Sequence, residues 1–128
     1  MPIIFLDQKL VIRSHSKLVK RFGGISGLRD DNLLISALAR ARQKATYGCH
    51  DICELAAAYL FGISKNMAFV DGNKRASLLI ATVFLKENGY EIEATDAHLY
   101  ALTLGVANGE IDEEGATRFF RDFAKPRT

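Results

Sequence analysis

From about Asp7 onward, apolar residues recur every three or four positions through most of the chain, and strict alternation of apolar and polar residues is nearly absent. That spacing gathers apolar side chains into one stripe of an α-helix and does not line one face of a strand. Several such stripes must be buried against one another, which predicts an all-α fold, a single bundle of about six helices. The first begins near Asp7, carries Leu10, Leu18 and Val19, and stops at Gly23-Gly24, with Ile25-Ser26-Gly27 as a tight connector. Asp30 is the expected cap of a second helix with Leu33, Leu34, Ala37, Leu38 and Ala41 on one face, ending at Gly48. Asp51, three residues before Glu54, resembles a capping arrangement for a third helix through Leu55, Ala56, Tyr59, Leu60 and Ile63. Its small alanines permit close neighbours, so it is expected at the centre.

A loop around Asn66 to Gly72 leads to a fourth helix from about Asn73 to Glu87, closed by Asn88-Gly89, with Ala76, Leu79, Ile80, Val83 and Phe84 as its apolar positions. Tyr90-Glu91-Ile92 reads as a short extended piece. Thr95 or Asp96 caps a fifth helix through Leu99, Leu102, Val106 and Ala107 that ends at Gly109. A sixth, from about Asp112, turns Ala116, Phe119, Phe120 and Phe123 inward, and a tail containing Pro126 follows. With 48% hydrophobic and 25% charged residues, the 128-residue chain suits one domain over 1–128, with a single core that needs no disulfide or metal.

A net charge of +2 gives no support for a general role in coating nucleic acid or an anionic membrane, so direct nucleic-acid binding is not expected. No segment approaches the roughly 20 apolar residues of a membrane span, and the N-terminus lacks the layout of a secretory signal, so a cytoplasmic location is expected. Cys49 and Cys53, four apart in a segment that reads as helical, are expected to be buried thiols rather than a disulfide or a zinc site.

The chemistry concentrates at Asp71-Gly72-Asn73-Lys74-Arg75, where a carboxylate, a glycine, an amide and two cations open an apolar helix. A helix start leaves backbone N–H groups without intrahelical partners and carries partial positive charge, so it suits phosphate. Gly72 allows close backbone approach. Lys74 and Arg75 are unfavourable at such an end unless negative charge is supplied from outside, and Asp71 could hold a magnesium ion bridging phosphate oxygens. The alternative is an ordinary helix capped by Asp71, with Lys74 and Arg75 on a solvated face. Local chemistry weighs the two evenly.

The stretch Asn66-Met67-Ala68-Phe69-Val70-Asp71-Gly72-Asn73-Lys74-Arg75-Ala76 resembles the signature of the Fic/Doc family, in its death-on-curing (Doc) branch. Arg21 to Asp30, Leu33-Leu34, Ser36-Ala37-Leu38, Tyr47-Gly48, Leu55-Ala56-Ala57 and Phe84-Leu85 with Asn88-Gly89-Tyr90 extend the likeness, in order, over nearly the whole chain. The resemblance implies transfer of a group from a nucleotide to a hydroxyl of a target protein. For Doc toxins it implies a kinase: ATP sits reversed, and its terminal phosphate reaches a threonine of elongation factor Tu, which stops translation. Members that transfer AMP usually have glycine at Lys74 and a second arginine at Leu78, so both positions favour the Doc branch over AMP transfer.

By the same resemblance, Asp71 positions a metal or the attacking hydroxyl, Asn73 contacts phosphate, Lys74 and Arg75 stabilise charge on the transferring group, and Phe69 is an aromatic anchor. Met67 stands where the family has its catalytic histidine, and Ala68 replaces a common proline. A thioether cannot take up the hydroxyl proton, and a general base is worth about 10² to 10⁴ in rate, so loss of activity is expected. His15, His50 and His98 lie on other elements and are expected to be exposed or structurally satisfied. Met67 is expected to fill a pocket of about histidine's length, leaving fold and loop intact. A degenerate natural copy, a selected or introduced inactivation, and a site using a different base all accommodate it. No glutamate has Ser or Thr four positions upstream, as a self-inhibitory helix in the family requires. Restraint is therefore expected from an antitoxin whose helix lies in an apolar groove. A non-catalytic module that binds nucleotide or antitoxin is the competing functional class.

Overall fold

The computed structural model describes residues 2–127. Six helices follow in order: α1 (Gln8–Phe22), α2 (Asp31–Thr46), α3 (Ile52–Asn66), α4 (Asn73–Glu87), α5 (Asp96–Ala107) and α6 (Glu113–Phe123). Two three-residue strands, β1 (Tyr90–Ile92) and β2 (Ala124–Pro126), complete the described elements. The all-α class and the helix order are as the periodicity predicts.

Five of the helices start at a side chain that accepts a first-turn N–H. Asp7, Asp30, Asp51, Thr95 and Asp112 cap α1, α2, α3, α5 and α6 respectively. Each such cap satisfies donors that helix geometry leaves without intrahelical partners.

α3 is the central helix, packed against α2, α4 and α6. Leu55 through Leu60 are fully buried in an unbroken run, which only a helix covered on all sides allows. Its small residues let α2 approach closely: a methyl group on Gly62 would lie 3.0 Å from the Ala37 carbonyl oxygen. The Tyr59 hydroxyl, deep in this core, accepts the Leu6 N–H at 3.1 Å.

Several expectations need correction. The buried stripe of α1 is Val11, His15 and Val19 at i, i+4 and i+8, whereas Leu10 and Leu18 lie at its half-buried edges. In α4 and α6, Ala76, Ile80, Phe84, Ala116 and Phe120 are buried in the core, Val83 and Phe119 are half-buried and pack against it as expected, and Leu79 and Phe123 are half-buried. Cys49 lies before α3 rather than in a helix, and both thiols are half-buried rather than buried. Burial still pushes both thiol pKa values up, so they remain protonated. The tail containing Pro126 forms a strand that the sequence did not reveal: β2 pairs antiparallel with β1, placing Tyr90 opposite Pro126 and Ile92 opposite Ala124. Residues 25–27 are part of an open loop rather than a tight connector. That loop lies beside 68–70, with a Leu28–Phe69 bridge, Arg29 N donating to Ala68 O at 2.7 Å and Val70 N to Gly27 O at 3.1 Å.

Candidate functional site

α4 is the one helix among the described residues that starts without a side-chain cap. Its N-cap residue is Gly72, in the left-handed region at φ 75° and ψ 20°, a conformation that a residue with a Cβ adopts only at a cost. Asp71 therefore does not cap the helix, and the capped-helix alternative fails on that point. The Asp71 carboxylate turns back instead: Oδ1 accepts Gly72 N at 2.8 Å, and Oδ2 accepts Ile25 N at 3.3 Å from the 23–30 loop. The first turn of α4 contains no acidic side chain, which leaves its donors and partial positive charge facing outward.

Asn73 clamps the loop from within. Its Oδ1 accepts Phe69 N at 3.1 Å while its Nδ2 donates to Phe69 O at 3.0 Å. A primary amide carries two N–H groups, so one is left for a ligand. Phe69 itself is 2% exposed, an anchored core residue.

Lys74 and Arg75 are both exposed, and neither is paired with a carboxylate among the described residues. The Arg75 guanidinium lies over the Phe22 ring, 4.8 Å from its centroid, while Arg21 approaches the same ring at 5.3 Å. The cations thus border an open surface at the head of α4. A cleft of about 480 Å³ lies elsewhere, lined by Arg40, Lys44, Glu54, Glu113 and Arg121.

Met67 ends α3 in the left-handed conformation, φ 51° and ψ 48°, and is 53% exposed. It does not fill a pocket, contrary to the expectation drawn from its length. Its side chain stands in the open two residues before Phe69. Positive φ is uncommon outside glycine, and histidine adopts it more readily than most residues.

His15 is the residue that the motif pattern missed. It belongs to α1, far away in sequence, yet its Nε2–H donates to the Asp71 carbonyl oxygen at 2.6 Å. Its ring is stacked on Phe69, with centroids 3.7 Å apart and planes 9° from parallel. The i, i+4, i+8 stripe that it shares with Val11 and Val19 was the available signal, because a histidine between two valines on one helix face must be buried. With Nε2 committed to a carbonyl and the ring 2% exposed, His15 is a satisfied structural histidine, as the sequence reading expects. His50 and His98 are exposed, the latter beside Phe123, and neither contributes a described contact to the loop. No group of three or more His, Cys, Asp or Glu side chains among the described residues could hold a metal, and no helix is long and apolar enough to cross a membrane.

A model of the Fic/DOC family matches residues 5–85, which include α1, the 23–30 loop, α3 and most of α4. The chain is 32% identical over 102 residues to "Protein kinase doc" of Escherichia phage P1, covering 79% of this chain and 80% of that protein. It is 39% identical over 93 residues to "Toxin Doc" of Mycolicibacterium smegmatis, covering 70% and 68% respectively. The chain belongs to the Fic/DOC family.

Proposed function

We propose that this chain is a Doc-like toxin that binds ATP at the start of α4, and that its kinase chemistry is impaired because Met67 offers no proton acceptor. The observation that carries this reading is the uncapped start of α4, flanked by Asp71, Asn73, Lys74 and Arg75 in a chain 32% identical to a protein named as a kinase. The first-turn N–H groups and the Lys74 ammonium bind phosphate oxygens and offset charge as the phosphoryl group moves, which is where catalysis of phosphoryl transfer mainly resides. Arg75 joins them by leaving Phe22. The second Asn73 amide proton is available to the same phosphates. Asp71 orients the attacking hydroxyl.

Magnesium fits the donor set. Each Asp71 oxygen accepts one hydrogen bond and retains lone-pair capacity, and one carboxylate plus phosphate oxygens is a usual arrangement for this ion. When bound, magnesium would neutralise charge on the phosphates.

The target is a hydroxyl side chain of another protein, with a threonine of elongation factor Tu as the candidate that the Doc likeness supplies. Leu78, half-buried where AMP-transferring relatives carry a second arginine, argues against AMP transfer. An antitoxin helix is the proposed regulator. Phe22, Ile25, Met67 and Val70, all exposed apolar side chains in or beside the loop, offer it an anchoring surface.

Incubating the chain and its Met67→His variant with labelled ATP, magnesium and elongation factor Tu tests this reading. The variant is expected to phosphorylate the factor faster than the parent by about 10² or more. No phosphate on any target with the variant would remove the kinase assignment, and a mass gain of AMP would move the chain to the other branch. A second reading, a non-catalytic module that binds nucleotide or antitoxin, is favoured by an intact loop framework around an absent base. It predicts binding without turnover even after the repair.

A further inference from the structure

We propose that His15 is the positioning residue of the phosphate loop: its Nε2–H and ring face lock Asp71-Gly72 into the turn that aims the first N–H groups of α4. The functional side of this proposal rests on reading the start of α4 as a phosphate site. The positional side rests on geometry alone.

Two contacts and one close approach converge on one ring. The 2.6 Å hydrogen bond fixes the Asp71 carbonyl, the stack fixes Phe69, and a methyl group on Gly72 would lie 3.4 Å from Nε2. Asn73 holds Phe69 through both its N–H and its carbonyl oxygen. Residues 69, 71 and 72 are thus held between α1 and α4, and the chain enters α4 along one path.

Packing alone does not call for histidine at this place. The neighbours of His15 on its stripe are Val11 and Val19, and a leucine could fill a 2%-exposed site without burying a polar ring. What the imidazole adds is a donor for the Asp71 carbonyl, next to the left-handed Gly72. A carbonyl oxygen can only accept, so the neutral ring carries its proton on Nε2. A loop held this way before ligand arrives loses little freedom on binding, which is how preorganisation raises affinity. His15 touches neither nucleotide nor hydroxyl in this scheme and acts through Asp71 and Gly72.

The test uses the whole chain and two substitutions. His15→Phe keeps a stacking ring and deletes the donor, whereas His15→Gln keeps a donor and deletes the ring. Backbone amide resonances of Gly72 to Arg75 and the Asn73 side-chain amide are recorded without ligand, and ATP with magnesium is then titrated calorimetrically. His15→Phe is expected to keep its helix content, to move the Gly72 and Asn73 signals, and to bind ATP roughly tenfold more weakly, with His15→Gln intermediate. In the parent, ring ¹⁵N shifts should report the Nε2–H tautomer, a measurement that needs no variant to fold.

An Nδ1–H tautomer, or loop signals and affinity unchanged in both variants, overturns the proposal. If the parent binds no ATP while His15→Phe still moves the loop amides, positioning of the loop is upheld and the nucleotide reading fails by itself.

Discussion

Gly24 and Asp71 show how one hydrogen atom can govern a site. A methyl group on Gly24 would stand 2.8 Å from Asp71 Oδ2, and the residue is held at φ 119°, which L side chains rarely adopt. At Gly23, φ 84°, a methyl group would meet nothing within 4 Å. Gly23→Ala therefore carries only the backbone cost, about 1–2 kcal/mol, while Gly24→Ala adds displacement of the Asp71 carboxylate from Ile25 N–H. Thermal melts should show Gly24→Ala as the more destabilised of the two, and equal losses would show that the Gly24–Asp71 contact is unimportant. The sequence names Asp71 and Asn73 as chemistry-bearing residues by type and spacing. It does not reveal that Asp71 also ties down the 23–30 loop, because that partner lies 46 positions away. His15 escaped for the same reason, 56 positions from its acceptor.

At the scale of elements, helix starts were the most legible feature, because a cap is a local event between a side chain and N–H groups two or three residues on. Asp51 is the best placed for measurement. Burial opposes its ionisation, but hydrogen bonds from Arg121 and from the Glu54 and Cys53 N–H groups outweigh burial and hold its pKa below the ordinary value near 3.8. A lowered folded-state pKa means stability that is complete above the unfolded value and lost as pH falls through the folded one. Asp51→Ala should cost about 1 kcal/mol at pH 7 from the lost cap, and the gap to the parent should narrow in denaturant melts as pH drops below about 4. A gap that stays constant down to pH 2 would contradict the assigned ionisation. The stripe of α1 was misread because two leucines outweighed a histidine in the pattern, although the i, i+4, i+8 register favoured the histidine face. The pairing of β1 with β2 was illegible: three-residue strands carry almost no periodic signal, and the two stand more than 30 positions apart.

For the molecule as a whole, the position of α3 follows from its composition, since a helix apolar on every side has to be enclosed. The core that results encloses the hydroxyl of Tyr59, an ionisable group that accepts the Leu6 N–H. Burial pushes the Tyr59 hydroxyl above its ordinary pKa of 10.0. Its contribution is thus complete below about pH 10 and lost as pH rises through the folded value. Tyr59→Phe should cost about 1 kcal/mol at pH 7 through the orphaned Leu6 N–H, and should remove part of the alkaline loss of stability, as melts at pH 7 and pH 11 would show. An alkaline transition identical in parent and variant would place that loss elsewhere. The same enclosed core presents the start of α4 to solvent, with cations that no carboxylate neutralises among the described residues. Calorimetric titration of the unaltered chain with ATP and magnesium, in parallel with Lys74→Ala, tests that claim most directly. Saturable binding is expected at one site, weakened by salt and roughly tenfold weaker in Lys74→Ala. No heat at millimolar ATP, or an affinity indifferent to Lys74, would contradict it.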